Sequence, residues 1–514
     1  MESWFIIITI MTFPIAALIK VILNVFFQPK QQIRLPPSPV NIPIIRHLIW
    51  LRKTITELEP IISSFHKSLG PIITLHIGLR PTIIITDHSL AHKALVQNSA
   101  VFADRPQAFA TVSIGSSLYG STWRILRRNL MSNLLNSSRF KSYSQVRKWS
   151  LDILLNRLES QRKSGDQKLP VCIMVKDMFQ YTMFSLLVFM CFGDKLDEEQ
   201  IKEIQRVENL VLVNIDRFEL NFWPRLGKIL FRKQWSEFLQ IEKDREDILL
   251  PLIRARKKMK EEGENKTVNK DDDDDEYVLS YADTLLDLQL PDEKRKLTEK
   301  EILILCEEFV NAGSDSTAAA LHWIMANLVK DPIIQEKLFM EIKSVVPNGE
   351  EEVKEDDLQK IPYLKAVVLE ALRRHPPVHF VLPHTLRQDV VLDDKYFIPK
   401  NVDVNFMVAD MGRDPKVWED PMAFKPERFV GGREVIDISG SKKISMMPFG
   451  AGRRICPAGH GFALLHLEYF VANLVWKFEW KLGTDGDDVD LSETLEFISE
   501  MKNPLQAHIC PRIK

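Results

Sequence analysis

The sequence predicts a single large α+β domain, mainly helical with small β-sheets, behind an N-terminal membrane anchor. An apolar segment opens the chain, and apolar residues recur at helical spacing over most of 88–375. Prolines and glycines then crowd into 376–450 between short apolar runs, which is typical of turns and small sheets. Length alone would suggest roughly three domains, but no linker or internal repeat divides the chain beyond residue 40.

The anchor is Phe5–Phe27, 23 mostly apolar residues that could span roughly 30 Å of hydrocarbon. A cleaved signal peptide is the alternative, but Glu2 stands where basic residues are expected and no Ala-x-Ala-like site follows. Lys30 and Arg34 just beyond the segment indicate that the rest of the chain faces the cytosol. The predicted division is an anchor at 1–27, a basic, proline-rich hinge at 28–40 and a catalytic domain at 41–514.

Composition excludes several classes of protein. With 45% hydrophobic and 27% charged residues and a net charge of −2, the chain is globular and is not a nucleic-acid binder as a whole. The five cysteines form no CxxC pair, which favours a reducing compartment over a disulfide framework or a zinc site.

Within the domain, 71–87 predicts two strands around a turn at Gly78–Pro81. The acidic tract Asn265–Tyr277 predicts a solvated loop between helices. A long helix begins at a capping box formed by Thr298 and Glu301 and ends at Asp331–Pro332. Its middle, "AGSDST", combines a glycine with hydroxyl residues, so we expect the helix to open locally there and admit water.

The segment "PFGAGRRICPAGHGFALLHLEYF" at 448–470 carries the most specific chemistry. Cys456 precedes a helix that is apolar on nearly every side, where backbone N–H groups favour a thiolate. Gly450 and Gly452 allow the backbone to approach a large flat group, and Arg454 could bind carboxylates. Together they indicate the axial ligand of a heme with propionates. A buried core cysteine is the plain alternative, and a phosphate loop is disfavoured because GxxxxGK[ST] is absent.

"FGAGRRICPA" resembles the heme-binding signature of the cytochrome P-450 monooxygenases, FxxGxRxCxG, with Phe449, Gly452, Arg454 and Cys456 in place. The sequence departs from this signature at Ala458, where the family has glycine. Ala463 also arrives one residue late, so "AGHG" carries an apparent insertion. The resemblance covers residues 34–514 and is nearest to plant microsomal A-type members.

Three further motifs resemble those of the family and occur in the same order along the chain. Glu370 and Arg373 in "YLKAVVLEALRRHPP" share an apolar helix, so burial of the pair asks for a further partner, and Arg428 in "FKPERF" supplies it. By resemblance, "AGSDST" lies over the distal face of the heme. Its catalytic residues would be Asp315, Ser316 and Thr317. Trp123 and Arg127 resemble the WxxxR motif that reaches a propionate, and His384 stands where a residue often does likewise.

The resemblance implies a heme b monooxygenase of the endoplasmic reticulum membrane, single-pass and facing the cytosol. An NADPH–cytochrome reductase would supply electrons, and one oxygen atom of O₂ would enter a hydrophobic small molecule. Arg124, Arg128 and Arg453 would form the reductase dock. An isomerase or dehydratase that needs neither O₂ nor reductase, and a non-catalytic heme or lipid binder, are the alternatives. The expected substrate-pocket residues are Pro106–Gly120, Phe309, Val310, Val378–Leu382 and Glu496–Ile498.

Overall fold

The computed structural model describes residues 35–39, 55–77, 80–106, 112–163, 172–215, 232–265, 278–347, 349–431, 436–483, 488–495 and 497–512. The predicted anchor at 1–27 and most of the acidic tract at 265–277 lie outside these residues. Across the described ranges, no helix has the length and apolar character needed to cross a bilayer.

Helices dominate the described chain, as predicted. Most of the short strands lie at 72–85 and between 384 and 511, and three others lie between these ranges. The elements of the first half are α1 (Ile55–Leu69), β1 (Ile72–Ile77), β2 (Arg80–Ile85), α2 (His88–His92), α3 (Ser121–Asn133), α4 (Ser137–Ser142), α5 (Ser144–Lys163), β3 (Ile173–Met174), α6 (Lys176–Phe192), α7 (Glu198–Ile215) and α8 (Arg232–Asn265).

The second half of the chain contains α9 (Tyr281–Leu286), β4 (Gln289–Leu290), β5 (Arg295–Lys296), α10 (Glu299–Lys330), α11 (Pro332–Val345), α12 (Glu355–Leu358), α13 (Pro362–Arg374), β6 (His384–Thr385), β7 (Val390–Leu392), β8 (Tyr396–Ile398), β9 (Asp403–Phe406), α14 (Val408–Gly412), α15 (Leu464–Lys477), β10 (Phe478–Leu482), β11 (Glu493–Leu495), β12 (Ser499–Met501) and β13 (Gln506–Pro511). Short π-helical turns lie at Lys93–Gln97 and Gly459–Ala463, and short 3₁₀ helices at Pro426–Phe429 and Gly452–Arg454.

The main sheet joins distant parts of the chain in the order β1-β2-β9-β6. β1 and β2 form the predicted antiparallel hairpin, and β9 adds to β2 in parallel, with Thr82 opposite Asp403. A second sheet has the order β10-β13-β3. The described part of the hinge packs on the main sheet, because Thr74 donates to the carbonyls of Pro37 (2.8 Å) and Pro36 (2.9 Å).

α10 crosses the core and carries the distal motif. The predicted capping box is present: the Thr298 side chain accepts from the Glu301 N–H, and the Glu301 carboxylate accepts from the Thr298 N–H. At the other end, Asp331 caps α11. The predicted opening at "AGSDST" is wrong, because α10 is helical throughout and the Ser316 hydroxyl donates to the Ala312 carbonyl at 2.6 Å. The hydroxyl binds within its own helix and does not part the turns.

Candidate functional site

The loop before α15 turns Cys456 toward the core. The Cys456 N–H donates to the Phe449 carbonyl at 2.8 Å, and the N–H groups of Ala458 and Gly459 lie beside the sulfur. Burial raises the pKa of the thiol, and these N–H groups and the Arg127 guanidinium oppose the rise. The expected backbone stabilisation of a thiolate is therefore present, but in the protein alone burial outweighs it. A bound metal ion would supply the missing positive charge, because a thiol that coordinates a metal is deprotonated.

The glycines of this loop are fixed by contacts within the protein. Gly452 has φ +71°, and a Cβ there would lie 1.8 Å from the Leu95 carbonyl oxygen. A Cβ on Gly459 would lie 2.4 Å from the Phe449 ring. The sequence predicted that Gly452 permits close approach, and the group approached in this structure is the backbone of the π-helical turn at 93–97.

The apparent insertion in "AGHG" becomes a π-helical turn. The Ala463 N–H donates to the Ala458 carbonyl at 2.9 Å, five residues back, and regular α-helix resumes at Leu464. A π turn accommodates one extra residue without breaking the helix. The inserted residue therefore widens the start of α15, and Cys456 keeps its place beside two backbone donors.

Trp123, Arg127 and Arg454 meet on one side of Cys456. The Trp123 ring is buried, with the Arg454 guanidinium carbon 4.5 Å and the Arg127 guanidinium carbon 5.5 Å from its centroid. Arg127 donates to the Ile455 carbonyl at 2.7 Å. α3 places Trp123 and Arg127 one turn apart, as the sequence predicted, so both face the cysteine loop.

Arg105 completes this cationic cluster and was missed from the sequence. It is 7% exposed and donates to the carbonyls of Gly115 (2.8 Å), Leu382 (2.8 Å) and Pro383 (3.0 Å). Arg105 lies in an irregular segment, where no periodicity separates a buried arginine from an exposed one. The only available signal was its proximity to the predicted pocket loop.

The three arginines carry more positive charge than their partners neutralise. Burial, and then repulsion from Arg454, lowers the pKa of Arg105 to about 9. Burial lowers the pKa of Arg454 to about 10, with Asp104 opposing the shift and Arg127 and Arg387 adding to it. Both remain charged at neutral pH, and among the described residues Arg105, Arg127 and Arg454 donate their hydrogen bonds to neutral carbonyls.

His384 is placed beside the cluster but offers it no proton. Its Nδ1 lies 2.6 Å from the Phe102 carbonyl, an acceptor, so the proton of the neutral ring is on Nδ1. Burial and the neighbouring Arg105 hold the pKa of His384 well below its usual range. A neutral ring of this tautomer has no second N–H for a carboxylate, which weighs against the propionate contact expected of His384.

α10 brings the distal residues to the same region. Ala312 is exposed and Ser316 and Thr317 are half-buried, although neighbouring turns of α10 are buried, so this stretch of α10 keeps an accessible face. Burial, and then the charge of Glu500, raises the pKa of Asp315 to about 6, while Lys176 lowers it. A carboxyl that titrates near neutral pH can both take up and release protons.

The expected pocket residues divide between partly exposed and buried positions. Val378, Phe380 and Val381 keep partial exposure, and Leu382 and Phe497 are 44% and 46% exposed. Positions 107–111 and Glu496 lie outside the described residues.

Phe309 and Val310 belong instead to the core. Phe309 packs on Tyr281 (ring centroids 5.2 Å apart) and on Phe462 (6.4 Å). Pocket lining by this pair is therefore wrong. The preceding residue, Glu308, faces the loop at 112–120, and the helical pattern did not reveal it.

The predicted ion-pair network behind the site is confirmed. Glu370 and Arg373 have completely buried side chains and pair at 2.7 Å and 2.8 Å. Arg428 donates to Glu370 at 3.2 Å, and Arg373 also donates to the Gly412 carbonyl at 2.7 Å. The network ties α13 to the segment that leads to the cysteine loop.

The donors around Cys456 fit heme b. A thiolate at Cys456 could ligate the iron, and the guanidinium groups of Arg105, Arg127 and Arg454 could bind the two negatively charged propionates of that cofactor. Fold and site thus define a heme-thiolate protein.

The profile of the family described as cytochrome P-450 matches residues 36–509, and the chain belongs to this family. It is 47% identical over 504 residues to cytochrome P-450 89A9 of Arabidopsis thaliana, covering 94% of each chain. It is 30% identical to costunolide synthase of Cichorium intybus, covering 93% of each. A zebrafish cytochrome P-450 structure with abiraterone has the same fold, with TM-score 0.66 and 20% identity over 91% of this chain and 100% of that one.

Family membership confirms the prediction of a heme-thiolate monooxygenase that uses O₂, a redox partner and a hydrophobic substrate. It favours this function over the isomerase or dehydratase and over a non-catalytic binder.

Proposed function

We propose that the chain is a membrane-tethered monooxygenase with Cys456 as the axial ligand of heme b. The observation that supports this best is the surroundings of Cys456: the backbone N–H groups of Ala458 and Gly459 lie beside its sulfur, and three arginines lie nearby, of which Arg105 is buried and Arg127 and Arg454 are half-buried. When bound, the heme supplies the activation of O₂, and the ligating thiolate favours O–O cleavage.

Arg105, Arg127, Trp123 and Arg454 would hold the propionates. Their donors already point into one region, so little reorganisation of these side chains is needed to exchange neutral carbonyls for carboxylates. A charge-assisted hydrogen bond is roughly twice as strong as a neutral one, which favours that exchange. Phe449, packed against Gly459, fixes the turn that presents the sulfur.

Asp315, Ser316 and Thr317 would deliver protons toward the O₂ substrate. Asp315 belongs to a charged group with Glu500 and Lys176, in which Lys176 and Glu500 pair at 2.5 Å. Its raised pKa suits transfer near neutral pH. The Ser316 hydroxyl donates to Ala312 and keeps its oxygen lone pairs for an ordered water.

Residues 1–27 would anchor the protein in the endoplasmic reticulum membrane, with residues 28–40 as hinge and 41–514 as the cytosolic catalytic domain. Electrons would come from an NADPH–cytochrome reductase that docks near Arg124, Arg128 and Arg453. These three arginines are exposed, and Arg453 donates to the Tyr119 hydroxyl beside the cysteine loop.

The substrate would be a hydrophobic organic molecule of plant specialised metabolism. Relatives over more than nine-tenths of this chain include the flavonoid 3',5'-hydroxylase of Solanum melongena and the tabersonine/lochnericine 19-hydroxylase of Catharanthus roseus. Screening plant metabolites for substrate-induced shifts of the heme spectrum would identify candidates.

The direct test is NADPH consumption by the holoenzyme with reductase, O₂ and a hit from that screen. We expect consumption and an oxygenated product only when all three are present. Conversion of the substrate without O₂ or reductase would support the isomerase or dehydratase instead.

A further inference from the structure

The turn at Ser113–Ser117 lies between α10 and the arginine cluster. The Ser117 N–H donates to the Ser113 carbonyl at 3.2 Å, and the Ser113 N–H donates to the Ser117 hydroxyl at 3.0 Å. The turn is therefore closed by its own hydrogen bonds. Several of its other backbone groups bind partners outside the turn, namely the arginine cluster with Trp123 on one side and Glu308 on the other.

Carbonyl groups of the turn accept from Trp123 and from two arginines. Ile114 accepts from Trp123 and from Arg454, each at 3.0 Å. The Ser117 carbonyl also accepts from Arg454, at 2.5 Å, and the Gly115 carbonyl accepts from Arg105. These are the donors proposed to hold the propionates, so this end of the turn shares its partners with the cofactor.

Two N–H groups of the turn, those of Ile114 and Gly115, face a single anion, Glu308 of α10. Ile114 donates to one carboxylate oxygen at 2.8 Å and Gly115 to the other at 2.5 Å, and the Ser113 side chain also bonds this carboxylate. The fit is close, because a Cβ on Gly115 would lie 2.7 Å from the Glu308 oxygen. Glu308 is one helical turn before Ala312, on the same face of α10.

We propose that Glu308 is a positioning residue that holds the Ser113–Ser117 turn against α10 and so limits access to the distal face of the heme. Three properties support this role. The carboxylate binds two consecutive backbone amides, the contact joins elements far apart in sequence, and the other partners of the turn are the proposed propionate donors. Glu308 therefore holds the turn through a contact in which the cofactor would take no part.

Glu308→Gln tests the contact in the holoenzyme. An amide keeps the size of the side chain but presents an NH₂ group to one of two N–H donors, so one hydrogen bond is lost. Because hydrogen bonds to a charged acceptor are the stronger kind, we expect amide hydrogen exchange at 112–118 to rise by about 10- to 100-fold. Carbon monoxide should also rebind faster after flash photolysis.

Gly115→Ala perturbs the contact with Glu308 from the side of the turn. It tests the proposal independently if the Glu308→Gln variant fails to take up heme. Its added methyl must displace the carboxylate, so exchange at 112–118 should rise again, and the double variant should show less than the sum of the two effects. Glu307→Gln is the matched control, since Glu307 pairs with Arg245 at 2.6 Å. It should leave exchange at 112–118 unchanged.

Unchanged exchange in both test variants overturns the proposal, as does an equal rise in Glu307→Gln. Faster exchange with an unchanged rebinding rate shows a contact that does not govern access, and also overturns it. The inference rests on the proposed heme site, but the two can fail separately. A parent protein without the thiolate-type carbon monoxide band refutes the heme site, whereas the exchange result depends on the turn alone.

Discussion

Replacing Glu370 with glutamine should destabilise the protein through an uncompensated buried charge. The carboxylate accepts four hydrogen bonds: two from Arg373, one from Arg428 at 3.2 Å and one from the Lys425 N–H at 2.8 Å. Without it, Arg373 keeps the Gly412 carbonyl, but its side chain has no exposed surface through which water could compensate. Breaking one partner of a buried pair costs about 3–5 kcal/mol.

That cost converts to a temperature shift through the entropy of unfolding. At about 2.1 cal/mol/K per residue, the roughly 470 residues of the family domain unfold with about 1 kcal/mol/K. Glu370→Gln should therefore lower the midpoint of thermal loss of the carbon monoxide band by about 3–5 °C at a fixed scan rate.

Arg428→Gln is the matched control, because the Arg428 side chain is 12% exposed and its removal leaves the Glu370–Arg373 pair intact. A shift of about 1 °C is expected for it, from about 1 kcal/mol. If Glu370→Gln shifts the midpoint no more than Arg428→Gln does, Glu370 does not stabilise the protein by compensating the buried charge of Arg373.

Deleting residues 1–33 should release much of the protein from membranes with its heme content intact, and a truncated protein that sediments with membranes like the parent would contradict the single anchor. Ser316→Ala should raise the peroxide released per NADPH, because a positioned proton donor contributes about 10²–10⁴-fold, while Ser316→Thr should lower it or leave it unchanged. If Thr317→Ala raises peroxide release and Ser316→Ala does not, Thr317 is the positioned proton donor. Burial, and then Glu307, raises the pKa of Glu208 to about 8, so between pH 5 and 8 the folded protein binds more protons than the unfolded chain and stability falls as pH rises. Glu208→Gln should flatten the pH dependence of the thermal midpoint over that range, and an unaltered slope would contradict the assignment.

The sequence was informative where local pattern and tertiary role coincide. Thr298 and Glu301 mark the start of α10 because a capping box is a local interaction. Glu370 and Arg373 were predictable as a buried pair because their helix is apolar around them. The loop that carries Cys456 was predictable because few functions require a cysteine, two glycines and an arginine in this order before an apolar helix.

The remaining features depend on contacts between distant segments. Arg105 and Glu308 act through a loop whose path no periodicity sets. Phe309 was assigned to the cavity, although one residue on an α-helix turns the side chain by about 100°, enough to place it in the core. The tautomer of His384 follows from the Phe102 carbonyl, which only the folded chain brings within 2.6 Å.

The identity of the axial ligand is the central claim, and the carbon monoxide difference spectrum of Cys456→His tests it most directly. We expect the red-shifted band of thiolate ligation in the parent protein and its complete loss in the variant. Equivalent substitutions at Cys306 and Cys172 should leave the band in place. Persistence of the band in Cys456→His, or its loss only when Cys306 or Cys172 is replaced, would contradict the assignment.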